Sequence, residues 1–344
     1  MKKIASAILA GSLMLLGNTA LAADKNCDRA CLKEMAQKTL VSMTKHSREG
    51  LPLGRWYSFT ENGAPAAPEM TSLWRSVTRF TEPGAGQYAI DPKTGQVFVV
   101  AEVFEGEMPS IVFFRLKVED RLITELEMYI SRAKGESGLK FAPEELSSLP
   151  PAWLEPVPVG QKANREELTK WANSVFDRSF GTPPESKTCE LVEMGGRVVE
   201  DPDALKTLMP GDDLATDRPL KHGVSVPCTF DKRPEAKNAR ILVDEETGIV
   251  VSFGVVPGIV YPSFIEKGSE STFVPTEIKD GFENLPAEMR DPNKAGSTSF
   301  VPVLKQMEST MAVAEMTRFY DGKVQGVQRY MNMQPIGGNS PWSK

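Results

Sequence analysis

The sequence predicts an α+β protein made of two tandem modules, each a helical layer on a strongly bent antiparallel sheet. Three observations predict it. An amphipathic segment with three-to-four apolar spacing precedes a run of short β-rich segments,. Those segments, over Tyr88–Tyr129, are joined by tight-turn signals that make an antiparallel meander,. The same order of elements returns in the second half of the chain,.

In chain order, residues 1–22 read as a secretory signal peptide. Lys2 and Lys3 precede an apolar run, and Ala20-Leu21-Ala22 supplies the small residues a peptidase requires,. Cleavage after Ala22 does not place Cys27 first, which argues against a lipid anchor, and the expected location is periplasmic or secreted. Asp28–His46 is a helix with Leu32, Met35, Ala36, Leu40 and Met43 on one face,. Asp28 caps its start and His46 falls in its last turn,. Trp56–Thr60 is a short strand ending at the Asn62-Gly63 turn,. Leu73-Trp74-Arg75 follows in an irregular segment. The strands Tyr88–Ile90, Val97–Phe104, Ile111–Val118 and Leu122–Ile130 complete a first module, residues 23–132.

Residues 133–163 are rich in Gly, Pro and polar residues and read as an extended linker,. The second module spans 164–334. Its helix, Asn164–Phe180, opens on Asn164 with Glu167 three residues on, a variant of the capping box,. Val224–Phe230, Arg240–Val243, Ile249–Val256, Val313–Phe319 and Val324–Tyr330 are its strands, and residues 257–300 are a long insertion. The two halves align in detail. DPKTGQVFVV (91–100) is echoed by DEETGIVVSF (244–253), and FRLKVEDRLITELEMY (114–129) by EMTRFYDGKVQGVQRY (315–330). SFTENG (58–63) is echoed by LVEMGG (191–196), and at the turn the second copy has Met194 before its glycines where the first has an Asn before Gly.

Net charge is −6 without long like-charge runs, which argues against nucleic acid or acidic lipid as the main partner,. Four cysteines in an exported chain favour two disulfides,. Three pairings are open; proximity in sequence favours Cys27–Cys31 and Cys189–Cys228,. His46 and His222 sit at no ligand spacing with a cysteine pair, so no metal site is expected,.

With these residues in view, the chain resembles the SnoaL-like, nuclear-transport-factor-2-like superfamily. It is similar in particular to exported proteins that carry two such modules in tandem. The resemblance rests on CDRACL (27–32), FTENG (59–63), LWR (73–75), DPKTGQV (91–97), RLKVEDRLITELE (115–127), LEPVP with NREEL (154–168) and VDEETGIV (243–250). It implies a helical layer closing a bent sheet into a cone. Members range from ketosteroid isomerase to non-catalytic proteins, so fold alone does not choose a function.

Enzymes of that resemblance place a polar group inside the cone. On Val97–Phe104 the one carboxylate is Glu102, beside Phe98, Val100 and Phe104. An apolar setting is where a carboxylate becomes a general base. Tyr57 and Tyr88 are the candidates to position a substrate beside it. Trp74, Arg75 and His222 are candidate ligand-binding residues, with Glu315 as a partner for His222,. The plainer alternatives are core aromatics and solvated charges. Arg115 is expected on an outer or interdomain face. The sequence carries no phosphate loop, nucleophile elbow or triad,. The function expected is binding of a small apolar or aromatic molecule in a cone, with cofactor-free dehydratase, isomerase or lyase chemistry if it is an enzyme. The alternative is a non-catalytic periplasmic binding or protein-interaction module. No nucleic acid, cofactor or membrane anchor is expected, and an oligomer is compatible with the sequence.

Overall fold

A computed structural model describes residues 27–132, 141–177, 184–200, 224–225, 228, 235–262, 271–284 and 305–342. The expected signal peptide and His222 lie outside these residues.

Helix α1 (Arg29–Thr44) forms where the apolar spacing placed it. The Asp28 side chain caps it, accepting from the Cys31 amide at 2.9 Å,. The Cys27–Cys31 disulfide ties the residue before the cap to the first turn. His46 lies just beyond the helix at φ 54°, in the left-handed conformation that ends many helices.

The first sheet contains β1 (Leu53–Glu61), β2 (Ala64–Pro65), β3 (Val77–Phe80), β4 (Tyr88–Asp91), β5 (Gln96–Glu105), β6 (Met108–Glu119) and β7 (Leu122–Ser131). Its order is β2-β1-β7-β6-β5-β3, with β4 also on β5. The meander is as predicted, but β1 runs parallel to β7, so the sheet is not wholly antiparallel. The intervening strands form the long crossover that parallel pairing needs. Leu73-Trp74-Arg75, expected to be irregular, lies within the short helix α2 (Ser72–Ser76).

The segment between the sheets is not extended throughout. It carries a 3-10 helix, Pro143–Ser148, and the short helix α3 (Pro151–Leu154). Helix α4 (Arg165–Ser174) has both halves of the capping box between Asn164 and Glu167. The second sheet is built from β8 (Glu185–Glu193), β9 (Gly196–Arg197), β12 (Lys237–Asp244), β13 (Ile249–Pro262), β14 (Ser271–Pro275), β15 (Met307–Tyr320) and β16 (Lys323–Gln334); the pair β10 (Val199–Glu200) and β11 (Val224–Ser225) stands apart. Its order, β12-β13-β15-β16-β8-β9, repeats the first sheet, including a parallel β8–β16 pair. The described part of the insertion lengthens β13 and folds β14 back on its far end, where β3 stands on β5 in the first module. The two aligned turns need their glycines: Gly95 and Gly248 have φ of 65° and 67°, and a Cβ there would meet a carbonyl oxygen at 2.4 and 2.7 Å,.

Both faces of β5 are buried. Val97, Val99, Ala101 and Val103 pack with Leu32, Met35, Leu40 and Met43 of α1, filling the space between helix and sheet. Phe98 and Val100 face the other way. With Phe113 and Tyr129 they meet Phe253, Ala314, Met316 and Tyr330 of the second sheet. The modules therefore join sheet to sheet, through an aromatic series in which Tyr129 stacks on Phe113 at 5.0 Å and on Phe253 at 5.5 Å.

The polar contacts across this junction are reciprocal. Arg29, first in α1, makes a two-pronged pair with Asp244 at 2.8 and 3.0 Å. Arg165, first in α4, does the same with Asp91 at 3.1 and 2.7 Å. The Ala142 amide donates to the Met194 carbonyl, and the Asn339 amide to that of Gly63. Each module thus grips the other, and the two Arg–Asp pairs do so through matching positions. Met194 keeps the role of Asn62: the Ile130 amide donates to Asn62 Oδ1 at 2.9 Å, and the Met331 amide lies 3.1 Å from Met194 Sδ.

One matching pair differs in charge. Tyr129 donates to Glu127, whereas its counterpart Tyr330 donates to Gln328. Burial pushes the Glu127 carboxyl above its ordinary value of 4.5, against the opposing pull of Arg115, Tyr129 and Ser340. The fold therefore prefers the protonated acid. That stabilisation is complete below the ordinary value and is lost as pH rises through the folded value. Glu127→Gln is expected to flatten the decline of melting temperature with pH in that window. A pH series of melting curves checks this, and an unchanged or steeper decline contradicts it.

Candidate functional site

A groove of about 870 Å³ opens between the modules. Its walls follow from the reciprocal junction. The first module contributes the first turn of α1, with Ala30 and Lys33, the Gly84–Gly86 loop, and Tyr88 and Ile90 of β4. The second side is the Trp153–Val157 stretch, Lys162, the Glu246-Thr247 turn, Ile249 and Arg318. Close approach of the two sides depends on glycine: a Cβ on Gly86 (φ 80°) would lie 2.8 Å from Trp153 Cβ.

The lining mixes apolar surface with buried polar atoms that lack a hydrogen-bond partner. These are Tyr88 Oη, Trp153 Nε1, Thr247 Oγ1 and Arg318 Nε. Buried polar groups are normally paired, so four such atoms around one groove mark it as a place where a ligand or solvent completes the bonding. Burial, with the nearby Glu82 charge second, pushes the Tyr88 phenol well above its usual range. It is therefore a neutral hydrogen-bond donor rather than a base. Lys33 Nζ lies 5.1 Å from the centre of its ring,. Burial lowers the pKa of the Arg318 guanidinium, which donates to the Glu155 carbonyl.

Of the residues singled out from sequence, Tyr88 alone among those described lines the groove. Glu102 is buried at 8% exposure and accepts from Thr81 Oγ1 at 2.5 Å. It lies on the face of β5 opposite Val99, the register partner of Tyr88, so the strand does not bring the two together. Tyr57 is half-buried against the α1 core, and its hydroxyl accepts from Arg48 at 3.3 Å. Trp74 is fully buried, donates to Ser42 Oγ at 3.2 Å and meets Phe59 edge-on at 5.6 Å. Arg75 is exposed on α2. Glu315 pairs with Arg329 at 2.9 Å. Arg115 does lie at the junction, 4.4 Å from the Trp342 ring centre. Both expected disulfides are formed.

Sequence reasoning passed over Arg29, Arg165, Trp153 and Arg318. A signal for the first two was present: each copy has an arginine directly after its helix cap and an aspartate at the head of its aligned turn.

No family model and no curated protein matches the sequence, so the tandem family suggested by the motifs finds no such support. Among solved structures, the chain is similar to a de novo designed protein with a curved β-sheet. That likeness has 12% identity over 30% of this chain and 88% of that one, with a TM-score of 0.25. It is also similar to a protein named as a ketosteroid isomerase from Kribbella flavida DSM 17836. There the identity is 14% over 38% of this chain and 93% of that one, with a TM-score of 0.22.

Proposed function

We propose that this is an exported protein that binds a small, largely apolar molecule in the groove between its two modules. The observation that carries the reading is the groove itself: apolar walls with four unpaired buried polar atoms among its lining residues, the usual make-up of a ligand site. Export is supported by the leader-like start of the chain and by the two disulfides,. The site lies between modules because the space between α1 and the first sheet is taken by core side chains. Tyr88 supplies a hydrogen bond and a ring face, which suits recognition without chemistry.

The neutral fluorophore N-phenylnaphthylamine tests this through energy transfer from tryptophan, with Trp153 in the groove wall. Saturable binding is expected to the wild type. It should weaken at least about tenfold, a change of about 1.4 kcal/mol, in Ala30→Trp and Ala85→Trp, which fill the groove from exposed lining positions. Equal binding by both blocked variants, with melting unchanged, refutes the groove as the site.

A further inference from the structure

We infer that Arg318 seats an anionic group, a carboxylate, sulfonate or phosphate, on the molecule the groove takes; this rests on the binding reading above. Arg318 is 3% exposed, yet among the described residues no carboxylate lies within ion-pair distance. Its hydrogen-bond partner is a backbone oxygen, the Glu155 carbonyl, and its Nε has none. The Tyr320 ring lies 5.7 Å from the guanidinium. Asp244 and Glu155 act on it through space, and Asp244 is already held by both prongs of Arg29. A buried cation without a counter-ion is costly, and a planar guanidinium suits an oxyanion on a ligand.

The repeat sharpens the point. In the aligned halves Arg318 corresponds to Lys117, and Tyr320 to Glu119. Lys117 has its acid, with Nζ 3.3 Å from Glu119. The second copy keeps the cation, buries it beside the groove, and has an aromatic ring where the first copy has the counter-ion. Lys33 and Lys162 also line the groove. Of its lining acids, Glu246 pairs with Arg29 at 3.5 Å, Asp28 caps α1, and the Glu155 carboxylate acts on Arg318 only through space.

The test compares two probes with nearly the same aromatic body, anilinonaphthalene sulfonate and neutral N-phenylnaphthylamine. The proteins are the intact wild type, Arg318→Gln and Arg318→Lys. The wild type is expected to hold the sulfonate at least about tenfold more tightly than the neutral probe. Arg318→Gln should abolish that preference while still binding the neutral probe, and Arg318→Lys should keep part of it. Without probe, Arg318→Gln should melt no lower than the wild type, because it removes an uncompensated charge. Equal wild-type affinity for the two probes, or a preference that survives Arg318→Gln, overturns the assignment and leaves the groove standing. Binding of neither probe overturns the groove and the assignment together. If Arg318→Gln melts lower and loses both probes equally, Arg318 is a structural brace for the Glu155 carbonyl and the inference is wrong.

Discussion

Asp244→Ala is expected to lower stability by about 3–5 kcal/mol, read as a shift in the urea unfolding midpoint. Asp244 has a fully buried side chain. It accepts both prongs of Arg29 and the Ile90 amide, the last at 2.9 Å and from the other module. Its loss leaves the buried Ile90 amide without its acceptor and the half-buried Arg29 guanidinium with only Glu246 and the Ile90 carbonyl, each at 3.5 Å, and an unmade buried bond costs more than a made one gains. Asp91→Ala removes the matching pair but should cost less. Arg165 retains a closer partner, Glu245 at 3.2 Å, and among the described residues the amide that donates to the Asp91 carboxylate is that of Lys93 in its own turn, not one from the other module. Equal losses in the two variants would show that the reciprocal pairs are energetically equivalent, against this account.

Trp153→Ala is expected to lose about 3–5 kcal/mol. The indole is 1% exposed and sits among the residues that join the sheets. Its position explains Gly326 on β16, where a Cβ would stand 2.7 Å from Trp153 Nε1 and 3.0 Å from Cε2. Gly326→Ala should therefore cost about 1–3 kcal/mol by overpacking. In a Trp153→Ala background the same change should cost almost nothing. Gly86 is the control. Its Cβ would also strike Trp153, but its φ of 80° adds backbone strain that no change at Trp153 relieves,. Gly86→Ala should thus remain costly in both backgrounds. A double-mutant cycle measures the coupling, and additive losses for Gly326→Ala and Trp153→Ala would refute the packing argument.

Much of the fold was legible because local rules and global arrangement agree. Asp28 and Asn164 mark helix starts by cap chemistry that needs no distant partner,. Gly95 and Gly248 mark turns for a reason visible in their own dihedral angles. The junction was harder to read because β5 is apolar on both faces. Val99 and Val100 give the same periodic signal, although one meets α1 and the other meets the second sheet. Glu102 suffered from this ambiguity: an apolar neighbourhood was evident, but not which side of the sheet it served. Asp91 and Asp244 were read only as turn residues, since their partners lie 74 and 215 residues away. Arg318 was hidden for another reason. Its significance lies in having no counter-ion among the described residues, which shows only when Glu119 and Tyr320 are placed in register and the burial of each cation is known.

The matching grips between the modules have an evolutionary consequence. In a symmetric homodimer every substitution occurs twice, so both halves of the assembly must tolerate it. Covalent fusion keeps the halves at a high effective concentration and frees each from copying the other. Glu127 can stand where the other copy has Gln328, and Lys117 can diverge from Arg318, with no penalty from a duplicate. One joint can specialise for a visitor while its twin remains plain scaffolding. A fused pair is thus a dimer that has gained the right to be unequal.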